Sequence, residues 1–324
     1  MLVRPNRRTI AVAILALLST LGIGTAVSAQ AAATPQTWSV LVGSENESMA
    51  VEGMRFLPGD ITIDEGDTVT WKANSAEIHT VTFFPGGTPQ DPLVQFNPGD
   101  MTQITQVGGT TYDGTSYYNS GLLTTVATGG DAGPLPPVPH YATYSLTFPT
   151  AGTYTYYCLV HGMMMRGVVH VQDARTPYPY TQAEVTADAH WQARAINRDG
   201  AALRMQAREM SGQHRVLTGA DDGYAMLMRF VGPRVVIHRG QKVHFLNTMS
   251  MGAPHTVTFG AEPQGAAVLQ PSGNAAKYRG GDLNSGLMPP GAKFTVTFMR
   301  AGTYHYLCAL HDFMGMTGTV VVRR

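Results

Sequence analysis

GTYTYYCLVH at residues 152–161 returns as GTYHYLCALH at residues 302–311, and the two decapeptides hold both cysteines of the chain, Cys158 and Cys308. A histidine follows each cysteine at the third position, His161 and His311. Working outward from this pair, further blocks repeat in the same order. MRFLPGDITIDEGDTVTW at 54–71 is answered by MRFVGPRVVIHRGQKVHF at 228–245, and IHTVTF at 78–83 by PHTVTF at 254–259. NSGLL at 119–123 is answered by NSGLM at 284–288, and SLTFPTAGTYTYYCLVH at 145–161 by TVTFMRAGTYHYLCALH at 295–311. So many matched blocks in one order read as a tandem duplication.

Within the blocks, apolar residues alternate. Ile61 and Ile63, Val69 and Trp71, Tyr144, Leu146 and Phe148, and Phe294, Val296 and Phe298 keep the two-residue period of half-buried strands. Gly and Pro punctuate the runs at Pro58-Gly59, Glu65-Gly66 and Ala151-Gly152. The expected fold is therefore all-β, with one sandwich in each copy. The boundaries read as residues 37–172 for the first domain and 222–324 for the second. Residues 173–221 between them read as a largely helical linker. Thr181 and Glu184 form a capping box at its start, and Asp199-Gly200 is a candidate break. The first copy carries an insertion within 85–140: His79 to Cys158 spans 79 positions, whereas His255 to Cys308 spans 53. It is rich in Gly, Thr and Pro and reads as a long surface loop with a small hairpin.

The N-terminus reads as an export signal. Arg4, Arg7 and Arg8 precede the apolar run IAVAILALLSTLGIG, and VSA before Gln30 places cleavage after Ala29. The run falls short of the roughly 20 residues of a membrane span, so residues 1–29 are expected to be removed and the mature chain to have no transmembrane segment. NRRTIA matches a twin-arginine signal poorly, which favours ordinary secretion. The expected location is periplasmic or extracellular. The 22 basic and 22 acidic residues cancel, giving no footprint for nucleic acid.

Each copy offers an upstream histidine, Cys-x-x-His, and a methionine before x-Gly. These are His79, Cys158, His161 and Met165 in the first copy, and His255, Cys308, His311 and Met316 in the second. Two imidazoles and a thiolate with a weak thioether above them form the ligand set of a type 1 copper site. The soft sulfurs favour Cu(I) and the imidazoles accept Cu(II), so the site suits one-electron exchange. Met164 and Met314 are alternative axial residues. Two other readings compete. A disulfide between the two cysteines requires their Cα atoms within about 7 Å, which matched positions in tandem sandwiches do not ensure. Zinc suits His-Cys-His, but a methionine ligand argues for copper. Most of the other methionines read as core filling. His305, out of phase with the inward positions of its strand, reads as solvent-facing.

CLVHGMMMRG and CALHDFMGMTG resemble the C-terminal ligand loop of the cupredoxin family, the plastocyanin- and azurin-like blue copper proteins. The resemblance covers nearly the whole mature chain twice, apart from the linker and the insertion. It implies two tandem Greek-key β-sandwiches, the eight ligands named above, two type 1 coppers, and an electron carrier serving redox partner proteins. Two-domain copper oxidases and nitrite reductases are also built from such units. In those enzymes histidines flanking the type 1 cysteine bind a second centre. Here Cys158 lies between Tyr157 and Leu159, and Cys308 between Leu307 and Ala309, so an enzyme is not expected. Copper sequestration or delivery is the other alternative, given the MMM run at 163–165. The resemblance is compatible with an oligomer.

Overall fold

The computed structural model describes residues 34–87, 96–126, 139–250 and 254–324. The expected signal segment, residues 1–29, and parts of the 85–140 insertion lie outside these residues.

Alternation in the sequence becomes two face-to-face sheets in each half. In the first half one layer is built from Thr37–Glu45, Val51–Leu57, Thr68–Ala73 and Thr143–Thr147. The other runs in the order Asp60–Asp64, Gly162–Gln172, Gly152–Cys158, Thr82–Phe83, Tyr118–Ser120, Gln106–Val107. The second half follows the same order with Arg234–His238, Thr317–Arg323, Gly302–Leu307, Thr258–Phe259, Leu283–Ser285 and Pro271–Ser272. Within 85–140 lie a helical turn, Met101–Ile104, and Gln106–Val107, whose pairing with Tyr118–Ser120 matches that of Pro271–Ser272 with Leu283–Ser285.

The inward positions of both layers are aromatic. Trp71, Phe83, Phe148 and Tyr156 close the first core, and Phe245, Phe259, Phe298 and Tyr306 the second, all nearly excluded from solvent. Trp71 meets Tyr156 edge-on at 5.1 Å between ring centroids, and Phe245 meets Tyr306 in the same way at 5.1 Å. Edge-to-face pairs of this kind add about 0.5–1.5 kcal/mol beyond burial. These clusters fix the strands that end in Cys158 and precede Cys308.

The two sandwiches share one sheet. Val51–Leu57 pairs antiparallel with Met226–Val231 through Glu52 opposite Met226 and Val51 opposite Leu227, making a continuous eight-stranded layer. This pairing covers two strand edges that would otherwise be open. A single helix, Gln182–Met210, lies over the junction. Its buried residues Ala189, Ile196, Gly200, Leu203 and Ala207 recur at helical spacing and pack on Val51, Leu57, Leu217, Leu227 and Val231, while Val185 joins the first core. The expected capping box is present, with Thr181 Oγ1 accepting from the Glu184 amide and Glu184 accepting from the Thr181 amide.

Two sequence expectations differ from this arrangement. The helix runs unbroken through Asp199-Gly200, because Gly200 is where the helix meets the sheet most closely: a Cβ there would overlap Val51. The segment expected as linker, 173–221, ends in a strand, Arg215–Asp221, which pairs with Met226–Val231 and Lys242–Leu246 and so belongs to the second sandwich. Its match in the first half is Thr37–Glu45, with LVGSE at 41–45 answering LTGAD at 217–221.

The Gly200 contact separates two outcomes. At a mere helix break, Gly200→Ala would stabilise by up to about 1 kcal/mol through helix propensity. The close approach to Val51 predicts net destabilisation instead, since overpacking costs about 1–3 kcal/mol. A urea midpoint lower than that of the parent is the expected result.

Candidate metal centres

Both halves build the same pocket at the same end of their sandwich. In the first, Gly152–Cys158 delivers Cys158 at its last position, a turn brings back His161, and Met165 follows in Gly162–Gln172. His79 enters from a bridge with Leu123, held by reciprocal backbone hydrogen bonds of 2.9 and 2.8 Å. In the second, His255 bridges Met288, Cys308 directly follows the strand Gly302–Leu307, and the Cys308 amide donates to the Met316 carbonyl at 3.0 Å.

The donor atoms converge. Cys158 Sγ lies 3.9 Å from His79 Nδ1 and 3.4 Å from His161 Nδ1. Cys308 Sγ lies 3.7 Å from His255 Nδ1 and 3.4 Å from His311 Nδ1, and the two Nδ1 atoms are 3.1 Å apart. Ligands bonded at about 2.0–2.3 Å to one ion are spaced in this way. Among the described residues, these two His-Cys-His sets are the groups able to hold a metal ion. Both cysteines are free thiols, so the disulfide reading fails. Met165 and Met316 are fully buried in the same clusters as Cys158 and Cys308, respectively. Met164 is 55% exposed, whereas Met314 is buried among the residues of the first core. His305 is exposed, as its strand position implied.

The repeated flanking sequence has a physical task. The amides of Thr80 and Thr256 point at the cysteine sulfurs, at 3.4 and 3.3 Å. The hydroxyls of the same threonines accept from the amides of Leu159 and Ala309, at 2.8 and 2.7 Å, and so fix the backbone just after each cysteine. Ser120 and Ser285 of the NSG blocks accept from Val81 and Val257, each at 2.8 Å. HTVTF and NSG are thus a hydrogen-bonded frame for the thiol. Two glycines complete it. Gly43 and Gly219 sit at strand irregularities with φ of +74° and +85°, and a side chain at either would press on the imidazole of His79 or His255. The outer nitrogen of His79 faces Ser75 Oγ at 3.0 Å, while that of His255 faces Met249 Sδ at 3.2 Å. The two pockets therefore differ in what stabilises the first histidine.

Electrostatics favour a thiolate in both pockets. Burial alone would push the thiols up, but His161 and His79 hold Cys158, and His311 and His255 hold Cys308, well below the ordinary thiol range. Against their own burial, His161 is raised to about 9 and His311 to about 10, chiefly by the facing thiolates and by Glu77. Burial dominates at His79 and His255, whose pKa values fall. A buried thiolate surrounded by imidazoles fits a soft, thiophilic ion.

Glu77 was not singled out from the sequence. It is buried between the pockets, with Oε1 3.7 Å from His161 Nε2 and Oε2 3.4 Å from His311 Nε2. Burial would raise its pKa, but the two histidines hold it well below the carboxylate range. The signal available was a mismatch: Glu77 stands two positions before His79 where the other copy has Ala253. Nearby, Glu52 is fully buried with no donor for either oxygen. Burial, then the carboxylates of Glu45 and Glu77, push its pKa well up against the pull of Arg229.

Residues 214–323 match the family described as copper binding proteins, plastocyanin/azurin family. Plastocyanin A'/A'' of Nicotiana tabacum is 35% identical over 109 residues, covering 33% of this chain and 97% of the relative. Plastocyanin of Capsella bursa-pastoris is 36% identical over 107 residues, again covering 33% and 97%. Among solved structures, a Cu(I) form of an amicyanin mutant aligns with 26% identity and a TM-score of 0.24, covering 35% of this chain and 84% of its own.

The raised pKa of Glu52 predicts a pH dependence. Between the unfolded carboxyl value of about 4.3 and the higher folded value, the folded chain binds more protons, so stability falls as pH rises through that window. Glu52→Gln should remove this slope and unfold later than the parent at neutral pH. Denaturant midpoints measured from pH 4 upward check it.

Proposed function

Since the chain belongs to the copper-binding plastocyanin/azurin family, we propose that it is an exported blue copper electron carrier with one mononuclear copper in each half. The observation that carries this reading is the pair of buried His-Cys-His sets, each with both Nδ1 atoms turned to the thiolate. His79, Cys158 and His161 would hold the first copper and His255, Cys308 and His311 the second. Met165 and Met316 would be the axial sulfurs: both share the buried cluster of their own cysteine, while Met164 is turned to solvent and Met314 packs on the opposite half.

Bound copper would supply a one-electron Cu(I)/Cu(II) couple. The protein's contribution is rigidity. The threonine and serine frame holds each thiolate in place and the aromatic clusters hold the strands, so the ligands need little rearrangement when charge changes. Thr80 and Thr256 amides aimed at sulfur withdraw charge from it and so favour the reduced form. The absence of flanking histidines at Cys158 and Cys308 supports a carrier over an oxidase. Partners would be redox proteins. Export rests on the arginine-led apolar run before Gln30; among the described residues, no helix is long and apolar enough to cross a membrane.

A second reading, copper sequestration or delivery, draws on exposed Met163 and Met164 beside the first pocket. A competing Cu(I) chelator separates the two: a carrier keeps its metal through cycles of reduction and oxidation, and a delivery protein gives it up. Copper content and visible absorption of the parent beside Cys158→Ser and Cys308→Ser test the main reading. Two coppers and intense colour in the parent, with one copper in each variant, are expected. One copper in the parent, lost in only one variant, refutes the two-centre form.

A further inference from the structure

The edges of His161 and His311 that point away from their thiolates turn toward a carboxylate. Both residues are about one-twentieth exposed, and their Nε2 atoms turn toward opposite oxygens of one carboxylate, Glu77. Little solvent reaches them: Glu77 is 8% exposed, and Met314 from the second half packs with residues of the first core. The shared eight-stranded sheet and the overlying helix hold the halves in this relation. The carboxylate is supplied once, by the first copy alone, and serves both pockets.

Resting on the copper reading above, we propose that Glu77 is a positioning residue shared by the two metal centres, and that it joins them into one redox pair. A carboxylate suits this place because it can face two N–H donors at once, one with each oxygen. An amide could accept from only one. Its charge stabilises the more positive, oxidised state of either centre, in surroundings where burial leaves it poorly screened. With copper in both pockets, an electron would pass within the chain, one centre being oxidised from Cu(I) to Cu(II) as the other is reduced, with no outside reductant or oxidant consumed. The pair is also asymmetric, since Ser75 faces the first histidine of one pocket and Met249 that of the other. Because both inward edges are occupied by Glu77, electrons from outside must reach the pair by another face of the protein.

The test uses the full chain loaded with copper and reads potentials and spin coupling. Glu77→Gln is introduced into Cys158→Ser and Cys308→Ser, so that each chain holds one centre, and each is titrated with redox mediators. Loss of the charge is expected to raise both potentials, so that at fixed poise the ratio of Cu(I) to Cu(II) grows about tenfold in both backgrounds. Glu77→Ala should reproduce the shift, separating charge from side-chain shape. Paramagnetic resonance of the fully oxidised parent should show dipolar broadening between two Cu(II) ions that neither single-cysteine variant shows. A shift at one centre only, a shift at neither, or a parent spectrum without broadening overturns the proposal while leaving two copper sites standing. A parent that binds no copper removes the earlier reading instead.

Discussion

Everything in this molecule is arranged around a thiolate kept out of water. A buried anion is costly unless positive charge or hydrogen-bond donors surround it, and each cysteine here has both. Two imidazoles face the sulfur and a threonine amide points at it. That requirement explains why residues far apart in sequence are tied together. Thr80 must lock the turn after Cys158, Ser120 must hold the strand that carries Thr80, and Gly43 must stay bare so that His79 can lie flat against the sheet. The second half meets the same demand with Thr256, Ser285 and Gly219.

The same economy appears between the halves. Each sandwich alone would leave a strand edge and a histidine edge open. Pairing Val51–Leu57 with Met226–Val231 covers the strand edges, and the helix covers the apolar face that this pairing creates. The histidine edges end up facing Glu77, a carboxylate ionised because two imidazoles outweigh its burial. Glu52, close by and without such partners, is pushed the other way. Two buried glutamates thus carry opposite shifts: two imidazoles face Glu77, whereas at Glu52 burial and two neighbouring carboxylates outweigh Arg229.

Much of this was legible in the sequence. Two-residue alternation gave the strands of both sandwiches, since strand packing depends on which side each residue faces. The two His-Cys-His groups were legible because their residues recur in matched blocks, and the fold brings each group together. What escaped was whatever occurs once or depends on packing. Glu77 has no counterpart in the second copy, so a search for repeats passes over it. Gly200 looked like a helix breaker by propensity, but the approach of Val51 decides its role. The strand Arg215–Asp221 reads as linker because it adjoins the helical segment and lies outside the longer matched blocks, although Gly43 and Gly219 mark equivalent bends in the two halves. The pairing across the junction left no pattern at all, since edge strands look like any others until their neighbours are known.

The most direct measurement is copper X-ray absorption on the loaded protein, with each cysteine intact and then replaced by serine in turn. The account predicts, for the parent, a sulfur scatterer at bonding distance together with two imidazole nitrogens per copper. In each serine variant the remaining copper should keep that sulfur signal undiminished. A shell of oxygen and nitrogen alone, or a parent spectrum unchanged by both replacements, would contradict the premise that a prearranged thiolate holds the metal.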